Sequence, residues 1–178
     1  MNAVHTKPAG PPAGVVITAG AADLLARLQD RHGAVMFHQS GGCCDGSSPM
    51  CYPCADFIVG DRDVLLGVLD VGAEGVAVWI SGPQYQAHYR GAQHTQLVID
   101  VVPGRGGGFS LEAPEGVRFL SRGRVFTDAE KGLVQAIPVI TGARYERGER
   151  PPVRGEVVAS DTTTDTPAAP EKCSPGRR

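Results

Sequence analysis

Apolar residues recur along this chain at two periods. Between residues 19 and 31 the period is helical: Leu24, Leu25 and Leu28 share a side with Ala21, Thr18 stands at the N-cap position, and Gly33 follows the last turn. That pattern predicts a helix over 19–31 with one apolar stripe packed on a sheet. Val15 to Ile17 ahead of it reads as a short strand. After it come short apolar runs bounded by turn residues: Ala34 to Phe37, Phe57 to Val59, Val64 to Leu69, Val76 to Ile80, His94 to Val102, Phe109 to Glu112 and Val117 to Leu120. Residues 84–93 fit a helical turn or an irregular loop equally well. Thr127, with Glu130 three residues on, is a capping-box signal for a helix that Gly132 and Pro138 keep short. The expected fold is α+β: a mainly antiparallel sheet or sandwich, one N-terminal helix packed on it, and a Cys-rich loop.

The periodic pattern fades at both ends. Residues 1–14 are small, polar and Pro-rich, and from residue 144 onward Arg, Glu, Pro, Thr and Asp dominate. We expect a disordered lead-in over 1–14, a single globular domain over 15–143 and a disordered tail over 144–178. Composition agrees with short elements and many turns: of 178 residues, 24 are Gly and 14 Pro, and only 6% are aromatic. A formal charge of −2 gives no electrostatic case for nucleic acid or an anionic membrane. No apolar run approaches the ~20 residues of a membrane helix, and the N-terminus has no signal-peptide core. The expected location is the cytoplasm, where thiols stay reduced. The chain has no internal repeat.

Chemistry concentrates in one stretch. Residues 35–54 read Val-Met-Phe-His-Gln-Ser-Gly-Gly-Cys-Cys-Asp-Gly-Ser-Ser-Pro-Met-Cys-Tyr-Pro-Cys, which holds four of the five cysteines. Adjacent thiols such as Cys43 and Cys44 point to opposite faces of an extended strand, so joint use of one ion requires a turn. Gly41-Gly42 and Asp45-Gly46 provide for one. His38, Cys43, Cys44 and Cys51 are the ligand types that a thiophilic or borderline ion prefers, zinc or copper above others. His94, at a strand start, joins them as a candidate ligand. The alternatives are a cysteine nucleophile with His38 or His94 as its base, or a structural role in which thiols are small buried hydrophobes. Cys51-Tyr-Pro-Cys54 has redox spacing, but the residues after it read as strand and turn, whereas a redox pair opens a helix. His5, His32 and His88 carry no such context, and Cys173 lies in the tail.

Other signals are weaker. The glycines at 104–108 fit a tight hairpin. Phe109 stands where a dinucleotide fingerprint needs its last glycine, no helix pattern follows, and no Gly-Lys-Ser/Thr is present. No nucleotide cofactor is expected. Arg105, Asp100 and Glu112 do not stand out from solvent-facing charges.

Phe37-His-Gln-Ser-Gly-Gly-Cys-Cys-Asp-Gly-Ser-Ser-Pro-Met-Cys-Tyr-Pro53 resembles the hallmark of a bacterial family known as domain of unknown function 779. The resemblance extends to Asp63-Val-Leu-Leu-Gly67, His94-Thr-Gln-Leu-Val-Ile-Asp-Val-Val102, Gly104-Arg-Gly-Gly-Gly-Phe-Ser-Leu-Glu112 and Arg118-Phe-Leu120, about residues 15 to 132. Cys54 departs from the family pattern. Members are often encoded beside an aldehyde dehydrogenase, so the resemblance implies an accessory role in aldehyde or alcohol metabolism. It carries over His38, Cys43, Cys44, Cys51 and His94 as candidate site residues. The expectation is a cytoplasmic accessory with a Cys/His metal or thiol site. An independent small enzyme acting on aldehydes or their thiol adducts, and a structural module with a clamped Cys loop, are the alternatives.

Overall fold

The computed structural model of the protein describes residues 10–39, 48–88 and 95–159. Strand β1, Val15–Thr18, runs directly into helix α1, Ala19–His32. Thr18 makes that junction: its backbone is extended and its hydroxyl accepts the Ala21 N–H, satisfying one of the open donors of the first turn. The stripe of Ala21, Leu24, Leu25 and Leu28 is buried. Gly33 ends the helix at φ 78°, a left-handed position that side chains avoid. The chain continues through β2 (Val35–Gln39), β3 (Met50–Pro53), β4 (Val64–Leu69), β5 (Val76–Ile80), α2 (Gly82–His88), β6 (Thr95–Pro103), β7 (Val117–Val125), α3 (Asp128–Gln135), α4 (Gly142–Glu146) and β8 (Val157–Val158). The capping box is present at α3, where Thr127 and Glu130 each accept the other's backbone N–H.

The strands form two four-stranded sheets, ordered β7-β6-β1-β8 and β3-β2-β5-β4. The fold is α+β, but both sheets are mixed rather than mainly antiparallel. Strands that follow one another pair antiparallel: β2 with β3, β4 with β5, β6 with β7. These hairpins are then joined by parallel pairings of β1 with β6, β1 with β8 and β2 with β5. The parallel partners are distant in sequence, so no local turn signal announces them. Phe57 to Val59 and Phe109 to Glu112, predicted as strands, are instead irregular or turn structure. The predicted Cys-rich loop falls mostly on residues 40–47, outside the described residues.

The inner faces of both sheets enclose the main core with α1. Val15, Ile17, Leu97, Ile99 and Phe119 come from one sheet, Val35, Phe37, Cys51, Val76 and Val78 from the other. Phe37 and Phe119 meet edge to face across the core, with centroids 4.8 Å apart. The outer face of the second sheet has its own cluster of Met36, Leu65, Val68, Trp79 and Ile140, against which Tyr145 packs.

The folded part extends past the predicted tail boundary at 144. Residues 144–159 include most of α4 and all of β8, and the Gly155 backbone bonds to both Val68 and Asp70. A Cβ on Gly155 would lie 1.8 Å from the Val15 carbonyl oxygen, so only glycine fits there. Backbone pairing holds this polar segment in place, and an apolar pattern cannot reveal that. Among the described residues no helix is long and apolar enough to cross a membrane.

Candidate functional site

Alternation along β2 and β3 decides which candidate side chains can meet. In their antiparallel pairing Phe37 faces Cys51 and His38 faces Met50. Facing pairs share a side of the sheet, and successive residues take opposite sides. Phe37 and Cys51 therefore enter the main core, while His38 lies on the outer face beside Trp79, its neighbour on β5. The structure does not bring the Cys51 thiol and the His38 ring together.

His38 is 6% exposed, one residue before the end of β2. Its Nε2 lies 3.3 Å from Oδ2 of Asp63. His38, Trp79 and Leu65 form one cross-strand row over β2, β5 and β4, and Asp63 immediately precedes β4. The Asp63 carboxylate is itself held, because Oδ2 accepts the Gly60 N–H at 2.9 Å and the Asp63 N–H returns to the Gly60 carbonyl. The Phe57 ring packs on the imidazole with centroids 4.7 Å apart. The imidazole is thus oriented by a carboxylate at one nitrogen and by an aromatic face. Next on the strand, Gln39 is buried, and its side-chain oxygen has no hydrogen-bond partner among the described residues.

Cys51 is completely buried. Burial pushes its thiol far above the usual range, and the charges of Glu112 and Cys54 push in the same direction. That is the opposite of an activated thiolate. Its backbone has a more definite role: the Cys51 N–H donates to the Ser110 hydroxyl at 2.8 Å, and the Cys51 carbonyl accepts the Leu111 N–H at 3.0 Å. Ser110 in turn donates to Glu112, whose other oxygen accepts the Phe119 N–H. Glu112 is 1% exposed, and burial raises its carboxyl pKa against those hydrogen bonds. Cys54 is an exposed free thiol, also raised, first by partial burial and then by Glu74. No helix follows it.

Cys43, Cys44 and His94 lie outside the described residues, as do His5 and Cys173. Among the described residues no three His, Cys, Asp or Glu side chains are grouped to hold a metal ion. The strand ends that flank the remaining candidates do share one end of the molecule. Gln39 pairs with Ile80, Ile80 pairs with Val64, and Val64 lines the same cleft as Thr95, the residue after His94.

Sequence reasoning missed Asp63 as the partner of His38. Its only signal was its place at the head of the block Asp63-Val-Leu-Leu-Gly67, with nothing to point across two strands. It also passed over Glu112, which reads as an ordinary strand carboxylate until the Ser110 hydroxyl and the β7 backbone at Phe119 bind it.

A family model described as Domain of unknown function (DUF779) matches residues 24–125, more than half of the chain. The chain belongs to that family. No curated protein and no solved structure matches it.

Proposed function

We propose that this member of the domain of unknown function 779 family works through a Cys/His metal or thiol site at the end of β2, as an accessory to an aldehyde dehydrogenase. His38 is the fixed member of the site, and Cys43 and Cys44 supply the thiols. The observation that carries the reading is the pairing of buried His38 with half-buried Asp63. A carboxylate on one imidazole nitrogen sets the tautomer and aims the other nitrogen, as in carboxylate–histidine–metal arrangements and in the base of a nucleophile pair. Cys43 lies five residues from His38, a span of at most about 18 Å. Cys51 leaves the ligand set because its thiol is in the core on the opposite face. His94 remains a candidate fourth ligand, because it directly precedes β6 in sequence and β6 starts at the same end. Thiols kept reduced in the cytoplasm would bind zinc or copper, or engage an aldehyde carbonyl.

Asp63→Asn tests the pair. It keeps the shape and removes the charge that orients His38. The expected result is weaker metal retention or slower thiol reaction, at least about tenfold as for other lost outer-shell partners, with little change in melting temperature. Unchanged metal content and thiol reactivity in a folded variant would remove His38 from the site. The accessory role is tested by copurification with the dehydrogenase and a change in its activity. Turnover of aldehydes by the isolated protein, lost in Cys43→Ser or Cys44→Ser, would favour the enzyme reading instead.

A further inference from the structure

An apolar cleft of about 100 Å³ opens at the edge of the second sheet. Its walls come from four places: β4 from Val64 to Gly67, the starts of β1 and β6 at Gly14, Thr95 and Leu97, Phe126 with the end of α3, and the segments 137–140 and 151–153. Among the eighteen described residues that line it, none carries a charged side chain, and Tyr85 and Thr95 bring its only side-chain hydroxyls. The walls are pinned to one another through the backbone. Leu65 N–H bonds to the Ile140 carbonyl, Gly142 N–H to that of Asp63, and Gly155 N–H to that of Val68. Four prolines, Pro12, Pro138, Pro151 and Pro152, stiffen the lining. Such walls cannot close by side-chain relaxation alone, so the space persists where an ordinary core would pack.

We infer that this cleft binds a small, uncharged, largely aliphatic molecule. Its volume sets the size: an apolar cavity of roughly 150 Å³ accepts benzene, so this one takes about four or five non-hydrogen atoms. Its lining sets the chemistry. An ionic ligand would lose its hydration with no counter-charge to replace it, whereas a neutral molecule with one hydroxyl or carbonyl gives up little. The inference stands on the cleft alone and does not depend on the Cys/His site.

The test is a methyl and amide NMR titration of the full chain with 1-butanol, alongside butyrate and n-butylammonium as charged isosteres, and with dissolved xenon as a second apolar probe. Saturable shifts confined to Val64, Leu65, Val134, Val139, Ile140 and their neighbours are expected for 1-butanol and xenon, and none for the ions. Val139→Phe at the rim and Val153→Phe on another wall fill the space, and either variant, with an otherwise native spectrum, is expected to lose the response. Shifts that stay linear, scatter over the molecule, appear equally with the ions or survive both fillings would overturn the inference.

Discussion

Ser110→Ala is the sharpest test of how the fold supports the site. The Ser110 hydroxyl is 3% exposed and serves two buried groups, accepting from the Cys51 N–H and donating to Glu112. Alanine leaves a donor of β3 without its partner and takes one hydrogen bond from a buried carboxylate, and neither group can turn to solvent. Each orphaned buried group costs about 1–3 kcal/mol, and a charged one lies toward the upper end. The combined loss is therefore about 3–4 kcal/mol. For a domain of this size each kcal/mol moves the melting temperature by about 2–4 °C, so a fall of roughly 10 °C is expected by calorimetry. A double variant with Glu112→Gln should lose less than the two single losses added, because the two residues share one hydrogen bond. A Ser110→Ala fall below about 2 °C, or strict additivity in the double variant, would refute the reasoning.

The remaining expectations follow from the same geometry. Burial raises the Glu112 carboxyl pKa, so the folded state binds that proton more tightly than the unfolded chain does. Its contribution to stability is present below the ordinary glutamate range and declines as pH rises through the raised value. Glu112→Gln should remove that decline from a series of denaturant midpoints against pH, and a slope unchanged from wild type would show that Glu112 is not its source. Cys51→Ala removes a fully buried sulfur from the core. It should cost about 1–2 kcal/mol by transfer and cavity terms while leaving metal content and the reactivity of Cys43 and Cys44 unchanged; loss of either would return Cys51 to the site. In native protein, alkylation followed by mass spectrometry should label Cys54 readily and Cys51 only under denaturant, and fast labelling of Cys51 would contradict its place in the main core.

Local signals carried the parts of the fold that are local. Leu24, Leu25 and Leu28 with Thr18 and Gly33 locate α1 to within a residue, and Thr127 with Glu130 locates α3. The β4–β5 hairpin was legible for the same reason, whereas β3 falls within the predicted Cys-rich loop and the strand that pairs with β6 starts at Val117 instead of Phe109. The parallel joins of β1 to β6 and β2 to β5 were not, since they depend on which surfaces fit after the hairpins form. Residues 144–159 escaped because their place rests on backbone bonds and on the bare Gly155. At the site, His38 was legible from its position at the end of an apolar run before the cysteines. Its partner Asp63, 25 residues on, needed the strand order. The separation of His38 from Cys51 needed only the register of β2 against β3, which the sequence alone does not fix across the intervening residues 40–49.

The most direct measurement is elemental analysis of untagged protein purified anaerobically, paired with the rate and number of thiols that react under native conditions. The expected result is near-stoichiometric zinc or copper, or abnormally fast thiol reaction, lost in Cys43→Ser and Cys44→Ser, weakened in Asp63→Asn and retained in Cys51→Ala. Metal-free protein whose Cys43 and Cys44 react at the rate of unperturbed thiols, in wild type and Asp63→Asn alike, would contradict a Cys/His site at the end of β2.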